Sequence, residues 1–189
     1  YALQVKAGRP VFGVEMKIVD DKGATLPNDG VAYGRLLVRG PWIIKKYFKS
    51  EESAVDADNW FDTGDISSID PDGYMAIVDR EKDVIKSGGE WISSIDLENV
   101  IANHPDVLQT AVVGIPHPKW DERPLLFIVS NSGNEFDRSE LDDLMLEKFE
   151  KWQLPDDVVF LKELPIGATG KVKKIDLRQE YTDHYMKEA

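Results

Sequence analysis

The chain has 189 residues, a formal charge of −12 and no cysteine. That acidity excludes a general nucleic-acid binder, which must neutralise phosphates. The missing cysteine excludes disulfides and thiolate metal sites and suits a reducing compartment, so a cytoplasmic location is expected. No apolar run reaches the ~18–20 residues of a membrane helix. Tyr1–Gly8 has neither an initiator methionine nor a signal-peptide pattern, and is read as a cut into a longer protein.

Val14, Met16 and Ile18 alternate with Glu15 and Lys17, the period of a half-buried strand. Turn chemistry follows at Asp20–Gly23 and Pro27–Gly30. Arg35–Arg39 predicts a strand stopped by Gly40-Pro41, and Lys45-Lys46 interrupts the apolar strip Trp42–Phe48. Ser50, with Glu51 and Glu52 behind it, predicts a short capped helix. Trp60–Asp65 leads into Ile66–Ile69, and Asp70-Pro71-Asp72-Gly73 turns the chain into Tyr74–Val78. Residues 1–79 are therefore expected to form a small antiparallel β-barrel or sheet.

Charges of both signs crowd Asp79–Asp83, and the pattern then changes. Val84–Lys86 and Glu90–Ile92 flank Ser87-Gly88-Gly89 as a tight hairpin. Ser94 is the expected N-cap of a helix burying Leu97, Val100 and Ile101, which His104-Pro105 stops. Leu108–Ile115 and Leu125–Val129 are continuous apolar runs, hence buried strands, with a loop Pro116–Pro124 between them. Asp137 and Glu140 suggest a capping box, opening a core stripe of Leu141, Leu144, Met145, Phe149 and Trp152. A strand at Asp157–Leu161, a loop Leu164–Lys171 and a closing helix Lys174–Tyr185 complete the chain. The predicted class is α+β. Residues 1–79 form the β subdomain, 80–84 a hinge, and 85–189 a mixed α/β domain with a short antiparallel sheet packed by helices.

Several residues carry possible chemistry. Asp65, after Thr63-Gly64, can accept hydrogen bonds from two sugar hydroxyls or cap its own turn. Arg80 is a five-donor fork for ribose or phosphate oxygens, or one half of a surface ion pair with Asp79 or Glu81. Gly88-Gly89 permits close approach of a ligand to backbone, and also suits a plain hairpin turn. Lys171 follows Gly167-Ala168-Thr169-Gly170 as a cation on an exposed loop, for a transferring phosphoryl group or for solvent. It fails the phosphate-loop test: the spacing is short and Val172 stands where a metal-binding hydroxyl belongs. His104, His117 and His184 do not cluster with carboxylates at ligand spacing, so no metal site is expected.

In this order the pieces resemble the adenylate-forming superfamily of acyl-CoA synthetases, luciferases and peptide-synthetase adenylation domains. Gly8-Arg9-Pro10, Gly34–Pro41, Trp60–Asp65, Asp79–Glu98 and Pro165–Lys171 carry the likeness, in register along nearly the whole chain. Ile85–Ser94 and Trp42 are most similar to medium- and long-chain fatty-acyl-CoA synthetases, though synthetases for short sulfur-containing acids share much of this text. The resemblance implies two half-reactions. A carboxylate attacks the α-phosphorus of ATP and releases pyrophosphate; the thiol of CoA then displaces AMP. By the same resemblance Asp65 and Arg80 hold the ribose, and Lys86 and Trp91 touch the nucleotide or its phosphate. Lys171 serves the first step, Lys82 is the pivot of domain rotation, and Gly88 and Gly89 line the pantetheine tunnel. ATP or AMP, CoA and a small carboxylic acid are the implied ligands, with Mg²⁺ bound by residues outside this chain. No stretch here resembles the family's phosphate loop or acyl pocket, so the chain alone is expected to lack ligase activity. A non-catalytic binding module of the same fold is the alternative.

Overall fold

Alternating burial organises the first part of the chain. The computed structural model describes residues 6–188, so the expectation for the chain start at Tyr1–Val5 lies outside the described residues. The strands β1 (Glu15–Val19), β2 (Tyr33–Arg39), β3 (Phe61–Ile69) and β4 (Met75–Arg80) form one antiparallel sheet in the order β1-β2-β3-β4. Ile18, Leu36 and Ile69 are buried on one face, with Met16, Leu26, Val38 and Met75 packed against them. Gly34 is required where β2 crosses β1, because a Cβ there would lie 2.3 Å from the Val19 carbonyl oxygen. The Asp70–Gly73 turn is tied by Asp70, whose carboxylate accepts the Tyr74 amide at 2.8 Å.

Of the two expected forms, barrel or sheet, the antiparallel sheet is the one found: among the described residues β1 does not pair with β4, so no barrel closes. One expectation for this part is corrected. Residues 50–54 do not form a helix. The Ser50 hydroxyl accepts the Glu52 amide at 3.1 Å, a local turn that competes with helix nucleation. The preceding apolar strip is a series of turns in which Trp42, Tyr47 and Phe48 are exposed.

The second part is built on a five-stranded sheet. β5 (Ile85–Ser87) and β6 (Glu90–Ile92) form a hairpin, followed by α1 (Ser94–Ile101), β7 (Val107–His117) and β8 (Asp121–Ser130). Then come α2 (Arg138–Leu146), β9 (Asp157–Phe160) and α3 (Lys174–Glu180). The order is β6-β5-β8-β7, with β9 also paired to β8. That last pair is parallel, from Leu125 opposite Asp157 to Ile128 opposite Phe160, so the sheet is mixed rather than antiparallel.

Period two, with a core on each face, explains the continuous apolar runs Ala111–Val113 in β7 and Leu125–Val129 in β8. Val112, Leu126 and Ile128 join α1 and α2 in one core, with Leu97, Ile101, Leu141 and Met145. Their neighbours Val113, Leu125 and Phe127 face the other way, into a core shared with Leu164, Leu177 and Tyr185. Each fully buried side chain of this size stabilises the fold by about 1.5–3 kcal/mol.

Helix ends differ in detail from expectation. Ser93, not Ser94, caps α1, its hydroxyl accepting the Asp96 amide at 3.1 Å. Ser94 is buried instead, and accepts from the Lys174 ammonium at 2.7 Å. Asp137 caps α2 through the Ser139 amide at 2.9 Å. The Glu140 carboxylate lies 3.3 Å from the His104 ring and closes no capping box. α2 stops at Leu146, so Trp152 falls on a short 3-10 turn, Lys151–Gln153, and is half exposed. α3 stops at Glu180, before Thr182 and Asp183, which are poor helix formers; a 3-10 turn at Tyr185–Glu188 follows.

By internal contacts the chain divides into two compact units, Tyr1–Lys82 and Asp83–Ala189.

Candidate functional site

In the first unit the antiparallel register of β3 and β4 sets Asp65 directly opposite Arg80. The Arg80 Nε donates to Asp65 Oδ1 at 2.9 Å, with the Asp65 side chain 18% exposed and Arg80 57% exposed. Neither local alternative holds. The turn at Gly64 is capped by Asp62, whose Oδ1 accepts the Gly64 amide at 3.0 Å, rather than by Asp65. Glu81 approaches Arg35 at 3.9 Å, and buried Asp79 accepts the Arg80 backbone amide at 2.7 Å. Asp65 is fixed from behind, its own amide donating to the Thr63 hydroxyl at 3.1 Å. The result is a carboxylate and a guanidinium side by side on one rung, a pair suited to vicinal hydroxyls or a phosphate.

Lys82 is the last residue of the first unit and is exposed. Its neighbours are held: the Glu81 amide donates to the Gly64 carbonyl at 3.0 Å, and Asp83 lies 3.5 Å from Arg178 of α3. Between these two anchors Lys82 has no hydrogen-bond or ion-pair partner among the described residues.

In the second unit Gly88 and Gly89 form the two-residue turn of the β5–β6 hairpin, with φ of +60° and +89°. Positive φ at both positions is the primed turn that matches strand twist, and glycine adopts it without strain. Trp120 closes on Gly88, whose amide donates to the Trp120 carbonyl at 2.8 Å. A Cβ at Gly88 would lie 3.2 Å from the Trp120 ring, whereas one at Gly89 would meet nothing within 4 Å. One glycine is thus packed and the other open. Lys86 and Trp91 are cross-strand partners in the same hairpin, the ammonium 5.5 Å from the ring centroid.

Lys171 is exposed, on a loop that is tied rather than loose. Ile166 bridges Val172, the Gly167 amide donates to the Lys171 carbonyl at 2.8 Å, and Gly170 turns the chain at φ +78°. No carboxylate pairs with its ammonium among the described residues. Its neighbour Lys174 is committed elsewhere, 2.7 Å from Glu98.

The predicted loop Pro116–Pro124 hid a heavily bonded side chain, that of Arg123. β7 and β8 run on through it, leaving only Pro118–Trp120 as connector, with Asp121 at φ +72°. Arg123, 7% exposed, pairs with both oxygens of Asp156 at 2.6 and 2.8 Å. It also donates to the Ser87 hydroxyl and to the Trp152 and Leu154 carbonyls. Beside it Ser87, Gly88, Trp120 and Trp152 line a cleft of about 370 Å³. Behind it the Tyr185 hydroxyl donates to the Pro124 carbonyl at 2.7 Å, and burial pushes its phenol pKa well above the ordinary value. The sequence signal for Arg123 is a lone arginine just before proline at the start of an apolar run, which distinguishes it from a loop charge only once the strand is known.

Among the described residues no group of three His, Asp or Glu is placed to hold a metal, and no helix is long and apolar enough to cross a membrane.

Comparison with known proteins finds likenesses along the chain. Residues 96–171 match the AMP-binding enzyme C-terminal domain. The 3-methylmercaptopropionyl-CoA ligase of Ruegeria lacuscaerulensis is 54% identical over 97% of this chain and 34% of its own length. A medium-chain-fatty-acid–CoA ligase of Ectopseudomonas oleovorans is 47% identical over 96% of this chain and 33% of its own. ATP-bound MatB of Rhodopseudomonas palustris superposes with a TM-score of 0.83 at 30% identity, over 96% of this chain and 36% of MatB. The chain spans about a third of the length of each of these relatives.

Proposed function

We propose that this chain, whose residues 96–171 match the AMP-binding enzyme C-terminal domain, is the C-terminal third of an AMP-forming acyl-CoA ligase. The observation that supports this reading most is the reach of the likeness. It covers 97% of the chain, and so takes in the Asp65–Arg80 rung as well as the matched domain. In this reading a carboxylate attacks the α-phosphorus of ATP, pyrophosphate leaves, and the thiol of CoA displaces AMP from the acyl-adenylate. Asp65 and Arg80 hold the ribose hydroxyls. The unpaired Lys171 ammonium offsets charge on the carboxylate and α-phosphate in the first step. Gly88 and Gly89 face CoA in the second, the open Gly89 letting the ligand approach backbone. Lys86 and Trp91 contact the nucleotide. Lys82, alone between two anchored neighbours, absorbs the rotation that exchanges the loops.

For the acid itself we propose a medium- or long-chain fatty acid, a reading supported by 47% identity both to the medium-chain-fatty-acid–CoA ligase and to a long-chain-fatty-acid–CoA ligase of Thermus thermophilus. The higher identity to the 3-methylmercaptopropionyl-CoA ligase, 54% against 47%, supports a short sulfur-containing acid as the second reading.

The test is to join this chain to the upstream two thirds of the Ruegeria ligase and assay AMP release and acyl-CoA formation. Thioester is expected from the joined enzyme and none from the 189-residue chain alone. Acyl-CoA made by the isolated chain, or none made by a folded graft, contradicts the proposal. In the native full-length protein, kcat/KM for octanoate against 3-methylmercaptopropionate separates the two acids.

A further inference from the structure

The β5–β6 hairpin is attached to its sheet by very little backbone. Each of its strands has three residues, and β5 meets β8 at a single rung, Ser87 opposite Asp121. Side-chain and turn contacts from the start of β8 replace the missing ladder. The Trp120 carbonyl accepts the Gly88 amide at 2.8 Å. Glu122 Oε2 accepts the Lys86 amide at 3.0 Å. Arg123 donates to the Ser87 hydroxyl at 3.0 Å. Three consecutive hairpin residues are each held from one short segment.

Arg123 differs from the other two clamps because it is buried and saturated. A guanidinium has five N–H donors. Here all five have acceptors: two on Asp156 and one each on Ser87, Trp152 and Leu154. Asp156 neutralises its charge in a bidentate pair, and no donor is left for a ligand. It therefore cannot serve as a substrate-binding cation. What its planar fork does is fix the residue before Gly88 against two other chain segments. We propose that Arg123 is a positioning residue that holds the Gly88-Gly89 turn through Ser87, and so sets the approach of CoA. The functional half of this statement rests on the ligase reading; the structural half does not.

The decisive variant is Ser87→Ala, which removes one acceptor and leaves Arg123 its other four. Amide hydrogen exchange on the 189-residue chain, read residue by residue by NMR, reports the structural half. A hydrogen bond to a charged group is worth a factor of roughly ten or more in local opening. The Lys86 and Gly88 amides should exchange faster by about that factor, with Val112 and Leu126 at wild-type protection. Unchanged exchange at Lys86 and Gly88 overturns the proposal. In the joined ligase, Ser87→Ala should raise KM for CoA roughly tenfold while the adenylation half-reaction keeps its rate. An unmoved KM for CoA overturns the positioning of CoA. Absence of acyl-CoA from the unsubstituted enzyme would instead count against the ligase reading and leave the exchange result standing.

Discussion

Replacing Gly88 by alanine tests the hairpin most sharply, because two effects there can be separated. Gly88 sits at φ +60° and Gly89 at φ +89°. An alanine in the left-handed region costs about 1–2 kcal/mol. The lost flexibility of the unfolded chain returns part of that, leaving roughly 1 kcal/mol of net destabilisation. At Gly88 the added methyl also lies 3.2 Å from the Trp120 ring. Trp120 is 42% exposed, so the ring can yield by a few tenths of an ångström and this contribution is small. Gly88→Ala and Gly89→Ala should therefore destabilise the second unit almost equally, by about 1 kcal/mol each. Gly88→Asn should cost less than Gly88→Ala, since asparagine tolerates positive φ and Asn-Gly favours this turn. Urea unfolding followed by circular dichroism measures all three. Gly88→Ala at wild-type stability, or Gly88→Asn as costly as Gly88→Ala, would refute the left-handed turn and the role built on it.

Arg80→Ala should change stability little, since the Asp65–Arg80 pair has one largely exposed partner; about 0–1 kcal/mol is expected from the unfolding midpoint. In the joined ligase the same substitution should raise KM for ATP tenfold or more, and an unchanged KM would remove Arg80 from the nucleotide site. Burial raises the phenol pKa of Tyr185 above its ordinary value of 10.0, aided by the charges of Asp156 and Asp157. The unfolded chain then ionises first, so stability is full below pH 10 and falls as pH rises beyond it. Tyr185→Phe should lose the Pro124 hydrogen bond at all pH values, about 1 kcal/mol, but flatten that alkaline decline. An unaltered slope between pH 10 and 12 would contradict the assignment.

What could be read from the sequence was whatever local chemistry decides. Ser87-Gly88-Gly89 announced its turn because only glycine takes positive φ freely at two successive positions. The apolar runs of β7 and β8 announced burial on both faces, and the alternation of Met16 and Ile18 a strand with one. Long-range pairing was not legible. Nothing in Asp157–Phe160 says that it lies parallel to β8, and nothing in β1 to β4 says that the sheet stays open. Trp152 continued an apolar spacing that α2 abandons, so periodicity alone assigned it to the core. Charge also misled. Asp121, Glu122 and Arg123 between two prolines read as a loop, yet they begin a strand, and one of them is a buried guanidinium with every donor used. Such a residue is invisible until its acceptors, more than 25 positions away in the chain, are brought to it by the fold. At the candidate site, the sequence marks Asp65 and Arg80 only as separate residues; that they share a rung is a fact of register.

Separate assay of the two half-reactions in the joined ligase tests the central claim, that this chain supplies one loop to each. Pyrophosphate exchange measures adenylation, and conversion of preformed acyl-adenylate with CoA measures thioester formation. Lys171→Ala should lose the first and keep the second. Lys82→Pro, which restricts the backbone at the pivot, should keep the first and lose the second. Equal loss of both activities in Lys171→Ala, or survival of both in Lys82→Pro, would contradict the division of labour.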